Sequence, residues 1–159
     1  MTPAQDSPLI TKEDALEEML YCSVAVPKLL KKFELNKILE SARRRNLAAG
    51  ITGMLIYYRG EFVQILEGSK QSIDDIYNNH IKTDSLHTDL NIVNRNSILN
   101  RSFDKWTMGF IDSEEIESKT PVTLNKLSMK MLTAEAQGKK ISPGVGGFIS
   151  IYNRMREIN

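Results

Sequence analysis

Apolar positions recur along this chain with two different periods, and each change of period marks an element. Glu18 to Val26 alternates, with Tyr21, Ser23 and Ala25 on one face and Leu20, Cys22 and Val24 on the other, the signature of a strand. Phe33 to Leu47 places Leu35, Ile38, Leu39 and Ala42 at helical spacing, and Gly50 follows as its stop. Ile51 to Tyr58 is nearly all apolar or β-favouring and turns through Arg59-Gly60 into Glu61–Gly68, a hairpin signal. Ser72 to Lys82 reads as a second helix with Ile73, Ile76, Tyr77, His80 and Ile81 on its apolar face. Leu90 to Asn96 and Lys105 to Ile111 supply two further strands. The order β-α-β-β-α-β plus a fifth strand predicts an α+β, ferredoxin-like split βαβ fold, a five-stranded mixed sheet with both helices on one face.

The flanks differ in character. Residues 1–16 read as a polar leader with a short helical stretch after Thr11, and 17–112 as the domain. Residues 113–159 read as a C-terminal helical extension: a helix from Pro121 to Ala134, a flexible link over Ser142–Gly147 and a short closing helix from Phe148 to Arg156. This extension is too small for a core of its own, so it must pack on the domain or on a partner.

The composition excludes several classes. The chain has 159 residues, 41% of them hydrophobic, and a net charge of +1, which suits one globular domain without general attraction to nucleic acid or anionic lipid. The one basic run, Arg43-Arg44-Arg45, falls at a helix C-terminus, where the dipole favours cations. No apolar run approaches the ~20 residues that span a bilayer. Met1 to Met19 is acidic and lacks a secretion signal's basic start. The single cysteine, Cys22, excludes an intramolecular disulfide, and a cytoplasmic location is expected. His80 and His87 lack acids or thiols at metal-ligand spacing.

One residue breaks the pattern. In the second hairpin strand Phe62, Gln64 and Leu66 share a face, so a carboxamide stands where burial calls for an apolar group. Left unpaired, each of its polar groups would cost about 1–3 kcal/mol. Another side chain or a ligand must therefore meet Gln64. On the helices, Ile38, Ala42 and Asn46 form one stripe, and Ile81 and Asp84 another. With both helices over one sheet face, Ile38 and Ile81 would bound a slot floored by Tyr21 and Gln64, with Asn46 and Asp84 near its mouth. Such a slot suits a flat heteroaromatic ring. Taken alone, Tyr21, Trp106 and Met108 also read as ordinary core residues.

At these residues the chain resembles the BLUF domains, blue-light sensors that use flavin. The resemblance runs from about Met19 to Ile111 through Tyr21-Cys22-Ser23-Val24-Ala25, Ile38 to Ala42 leading to Asn46, Gly50 to Leu55, Phe62 to Gly68, Ile81 to Asp84 with His87, and Phe103 to Phe110. It implies FAD as cofactor. Tyr21 then corresponds to the electron donor, and Gln64 to the glutamine linking that phenol to the flavin's N5 and C4 carbonyl edge. Asn46 corresponds to a hydrogen-bonding partner of the polar rim, Ile38 and Ile81 to the residues sandwiching the ring, and Asp84 to an acid at its other polar edge. Ser23 and His80 fall among the implied cofactor contacts, and Trp106 and Met108 match the pair tied to signalling. Arg45 stands where the family often has a second asparagine, and Leu86 where it commonly has an arginine.

The resemblance also implies a cycle in which Gln64 rotates or tautomerises after electron and proton transfer from Tyr21. The expected protein is a photoreceptor and no enzyme, acting through protein–protein contacts as a homo-oligomer with a downstream partner on the C-terminal extension, away from membranes and nucleic acid. Two alternatives stand beside it: a light-insensitive interaction module on the same fold, and an acylphosphatase-like enzyme. The latter wants an arginine-bearing, glycine-rich loop after the first strand, which Val26-Pro27-Lys28-Leu29-Leu30 does not supply.

Overall fold

β1 (Leu16–Ala25) and β3 (Glu61–Ser69) lie antiparallel at the centre of a five-stranded sheet. Its order is β4-β1-β3-β2-β5, with β2 (Thr52–Tyr58) and β4 (His87–Ser97) antiparallel to their neighbours and β5 (Gly109–Ile111) parallel to β2. This is the ferredoxin-like arrangement that the order of elements predicts. The computed structural model describes residues 15–26, 31–118, 126, 129, 133, 134 and 136–157. Most of the leader and most of the expected Pro121–Ala134 helix lie outside the described residues.

Each sheet face carries its own core. On one, Met19, Tyr21, Leu55, Phe62 and Leu66 pack against Leu35 and Leu39 of α1 (Lys32–Ala49) and Ile73 and Ile76 of α2 (Lys70–Ile76). α1 ends where Gly50 turns left-handed, φ 67°, a conformation that costs a residue without a Cβ least. Ser69 caps α2, accepting the Ser72 N–H at 3.1 Å, so this helix starts two residues before the apolar spacing alone indicates. The second core is built from Leu20, Met54, Ile56, Val63 and Ile65 beneath Ile116 of α3 (Ser113–Glu117) and Val145, Phe148, Tyr152 and Met155 of α4 (Pro143–Glu157).

Two further boundaries depart from the pattern reading. α2 gives way after Ile76 to a π-helical turn, Tyr77–Ile81, closed by the Lys82 N–H on the Tyr77 carbonyl at 2.9 Å. The inserted residue lets both Ile76 and Ile81 face the sheet. The last strand is three residues long instead of running from Lys105, because the carbonyls before it are held elsewhere: Trp106 by the Gly53 N–H (3.0 Å), Thr107 by Asn46 Nδ2 (2.8 Å) and Met108 by Arg43 Nε (3.0 Å).

The expected flexible link over Ser142–Gly147 is the first turn of α4. Pro143 suits the first helical position, whose N–H has no intrahelical partner. Two of the helix's three glycines, Gly144 and Gly147, serve close approach. A Cβ on Gly144 would lie 2.6 Å from the Glu18 carboxyl carbon, and one on Gly147 3.0 Å from Leu20. Glu18, fully buried on β1, accepts the Gly144 N–H at 2.7 Å and the Ser142 hydroxyl at 2.5 Å, and so anchors the helix N-terminus to the sheet.

Across the strand pair, Glu67 is equally buried and accepts the N–H groups of Ser102 (2.7 Å) and Phe103 (3.0 Å) and the Thr52 hydroxyl (3.2 Å). Burial pushes its carboxyl above the ordinary value of 4.5, these hydrogen bonds opposing and Glu18 adding to the rise. The native state therefore holds the Glu67 proton more tightly than the unfolded chain, and stability falls as pH rises from the ordinary carboxylate value through the raised one.

Two outcomes are expected. Glu18→Ala orphans the α4 terminus and should cost about 1–3 kcal/mol in urea unfolding, with faster hydrogen exchange confined to the start of α4. Glu67→Gln should flatten the dependence of unfolding free energy on pH above the ordinary carboxylate value; an unchanged slope would assign the titration to another group.

Candidate functional site

Between α1 and the π-helical turn, over the central strands, lies a cavity of about 250 Å³. Its floor is Tyr21 of β1 and Gln64 of β3, which are direct cross-strand partners. Ile38 stands on the α1 wall and Ile81 on the opposite one, with His80 and Asp84 beside it. The carboxamide of Gln64 is met at both ends: its Oε1 accepts the Tyr21 hydroxyl, and its Nε2 donates to Met108 Sδ at 3.3 Å. Burial pushes the Tyr21 phenol well above its ordinary range, Arg45 pulling the other way and Asp84 adding to the rise, so the hydroxyl stays protonated and donates.

The other expected contacts sit behind this surface. Ser23 is buried, and its Oγ lies 2.9 Å from Nδ1 of His87, a ring that itself lines the cavity. His87 Nε2 lies 2.7 Å from the Ile81 carbonyl. In the Nε2–H tautomer it donates there and Nδ1 accepts from Ser23, which ties β1, β4 and the π-helical turn together. Asn46 is off the cavity wall, and its Nδ2 holds the Thr107 carbonyl instead. Met108 is buried on the cavity side of the sheet beside Gln64, whereas Trp106 packs on the opposite side, stacked on Phe103 with ring centroids 6.1 Å apart.

Pattern reasoning passed over Lys37, Ser41 and Arg45, which line the α1 wall with Ile38 and Ala42. Their recurrence at four-residue steps, beside Ile38 and Ala42 on the same helix, was the available signal. Leu55 and Phe62 complete the floor and Leu86 the far wall.

Two buried polar atoms bear on what the slot accepts. Arg45 Nε, a donor, and Asn46 Oδ1, an acceptor, have no hydrogen-bond partner among the described residues. An apolar slot between two isoleucines with an unmet donor on its wall, Arg45 Nε, suits a flat ring bearing carbonyl groups along one rim, as a flavin does.

Residues 16–109 match the BLUF family, sensors of blue light using FAD. The chain is 31% identical over 128 residues, 79% of its length, to photoactivated adenylate cyclase subunit beta of Euglena longa, of which it spans 15%. Its fold superposes on that of a bacterial light-regulated adenylyl cyclase with a TM-score of 0.61 at 26% identity, covering 77% of this chain and 34% of the other. It also superposes on the photo-activated state of BlsA with a TM-score of 0.58 at 27% identity, covering 72% and 78% of the two chains. A small α+β sheet with an apolar slot over a tyrosine–glutamine pair, matched over residues 16–109 by this family, is thus a light-sensing flavoprotein domain. The chain belongs to the BLUF family and is a flavin-binding blue-light photoreceptor whose cofactor is FAD.

Tyr21→Phe removes the hydroxyl that Gln64 Oε1 accepts. Urea unfolding of the flavin-free protein should show a loss of about 0.5–1.5 kcal/mol; no loss would mean that the pair contributes nothing to the fold.

Proposed function

We propose that this chain senses blue light through a hydrogen-bond switch between Tyr21 and Gln64 and reports it by protein–protein contact. When bound, FAD supplies a chromophore that absorbs blue light and, once excited, accepts an electron. Tyr21 is the donor of that electron and of its proton, and it takes both back once Gln64 has changed its bonding, so that no net oxidation remains. Its phenol is kept protonated by burial and is oriented by Gln64 Oε1. Gln64 is the switch, because an amide has two non-equivalent ends and so two satisfied states. Its Nε2 rests on a weak sulfur acceptor, Met108, so the bond that must break on rotation is the cheaper of the two. Ile38 and Ile81 hold the ring, Arg45, His80 and Asp84 supply polar contacts around it, and Asn46 positions the segment that carries Met108.

The observation that carries this reading is the direct Tyr21–Gln64–Met108 chain at the cavity floor. Exchanging a hydrogen bond or two provides a bias of about 1–3 kcal/mol, enough to shift a docking equilibrium and too little to unfold an element. Residues 17–112 are then the cytoplasmic sensor, and 113–159 carry the message to a second copy or a downstream partner rather than to chemistry of this chain's own. Contact between α4 and the face of β1 opposite Tyr21 supports that route.

Purified protein should be yellow with FAD and shift its flavin absorption to the red on blue illumination. Gln64→Leu should stay yellow and show no such shift. A normal photocycle in that variant would remove Gln64 from the mechanism, and colourless protein would favour the light-insensitive module.

A further inference from the structure

Beside Arg43 of α1, a second groove of about 350 Å³ runs along residues 105–110. Arg43, Lys105 and Lys126 line it with the half-buried rings of Trp106 and Phe110, and no acidic residue lines it among the described residues. The groove follows β5, which ends the sheet: β5 pairs with β2 on one side, and no described strand pairs with it on the other. Three cations beside an open strand edge call for an anionic, extended ligand.

The chemistry separates two kinds of anion. Phosphate sites are commonly built from backbone N–H groups converging at a helix N-terminus or a glycine-rich turn. Here there is neither; the positive charge sits on long side chains around aromatic rings, and the only glycine in the lining is Gly109. Carboxylates spaced along an extended backbone meet such a surface better, with main-chain bonds to the strand edge and charges to the flanking lysines.

The groove is also wired to the slot. Arg43 Nε donates to the Met108 carbonyl at 3.0 Å, and Met108 Sδ accepts from Gln64 Nε2 at 3.3 Å. Tyr21, Gln64, Met108 and Arg43 thus form one continuous bonded path from cavity floor to groove. A Gln64 that releases Met108 frees the segment that positions Arg43.

We propose that this groove is the docking site for an acidic, extended segment of a partner protein, and that light changes its affinity through Met108 and Arg43. The second half of this statement rests on the Gln64 switch proposed above; the first half does not. Lys105 and Lys126 attract the segment, Trp106 and Phe110 pack against it, and Arg43 couples it to the flavin.

The test uses the full FAD-loaded chain and a synthetic glutamate peptide of about ten residues. The peptide carries a red-absorbing dye, so that reading its anisotropy does not excite the flavin. In the dark, saturable binding that weakens with added salt is expected. The Lys105→Glu/Lys126→Glu variant should lose about tenfold in affinity and gain affinity for a lysine peptide of the same length. Illumination should change the glutamate peptide's affinity by about threefold, and Gln64→Leu should abolish that change. Absence of saturable binding, equal binding by the charge-reversed variant, or displacement of the peptide by inorganic phosphate at equal concentration would overturn the docking site. Equal affinity in light and dark in a protein that shows the red-shifted spectrum would overturn the coupling. Loss of the red shift itself in unmutated protein would instead count against the Gln64 switch and leave the dark binding result standing.

Discussion

A carboxamide buried between two strands has to be met at both ends, and much of this molecule is arranged around meeting Gln64. Its oxygen takes the phenol of its cross-strand partner Tyr21, and its nitrogen is given a thioether. To bring Met108 there, the segment before β5 leaves the ladder and hangs from side chains of α1, Arg43 and Asn46 among them. The base of the same segment is held by Glu67, three residues along β3 from Gln64 but on the opposite face. One strand therefore fixes both ends of the loop that partners its own glutamine.

The sheet is covered on both sides, and the two covers are of different kinds. The α1 and α2 side leaves a slot; on the other side, glycines at the helix start let α4 settle onto Glu18 and Leu20. Glu18 and Glu67 are cross-strand partners, as Tyr21 and Gln64 are three residues further along the same two strands. A change in the pairing of β1 and β3 on the flavin side is thus felt within a few residues by the carboxylates that hold α4 and the 101–103 turn. Interiors this closely packed pass on small displacements instead of absorbing them.

Much of this was legible in the chain. Period-two and helical spacing placed the strands and both main helices, because those elements bury one face each and the pattern records it. The misplaced polarity of Gln64 pointed to a site, and Tyr21, Ile38, Ile81 and Asp84 fell on the correct faces. What escaped shares one cause: contacts between residues far apart in sequence. Asn46 is turned to the Thr107 carbonyl by a loop 61 residues away, and β5 is cut short by donors on α1 and β2. The run around Gly144 and Gly147 looked like a hinge because small residues read as flexible, whereas here they are small because Glu18 and Leu20 leave no room for a Cβ. Arg45 looked like a solvated helix end, yet its buried Nε belongs to the cavity wall.

The five residues from Tyr77 to Ile81 wind more widely than an α-helix, and Ile81 faces the ring slot only because of that extra residue. Each residue of an ordinary helix turns the chain by about 100°. Deleting one position here would let the segment relax to regular winding and swing the isoleucine off the cavity wall. Relatives that differ by a single insertion or deletion in this stretch would then differ in how firmly they grip their pigment, even with every contacting side chain retained.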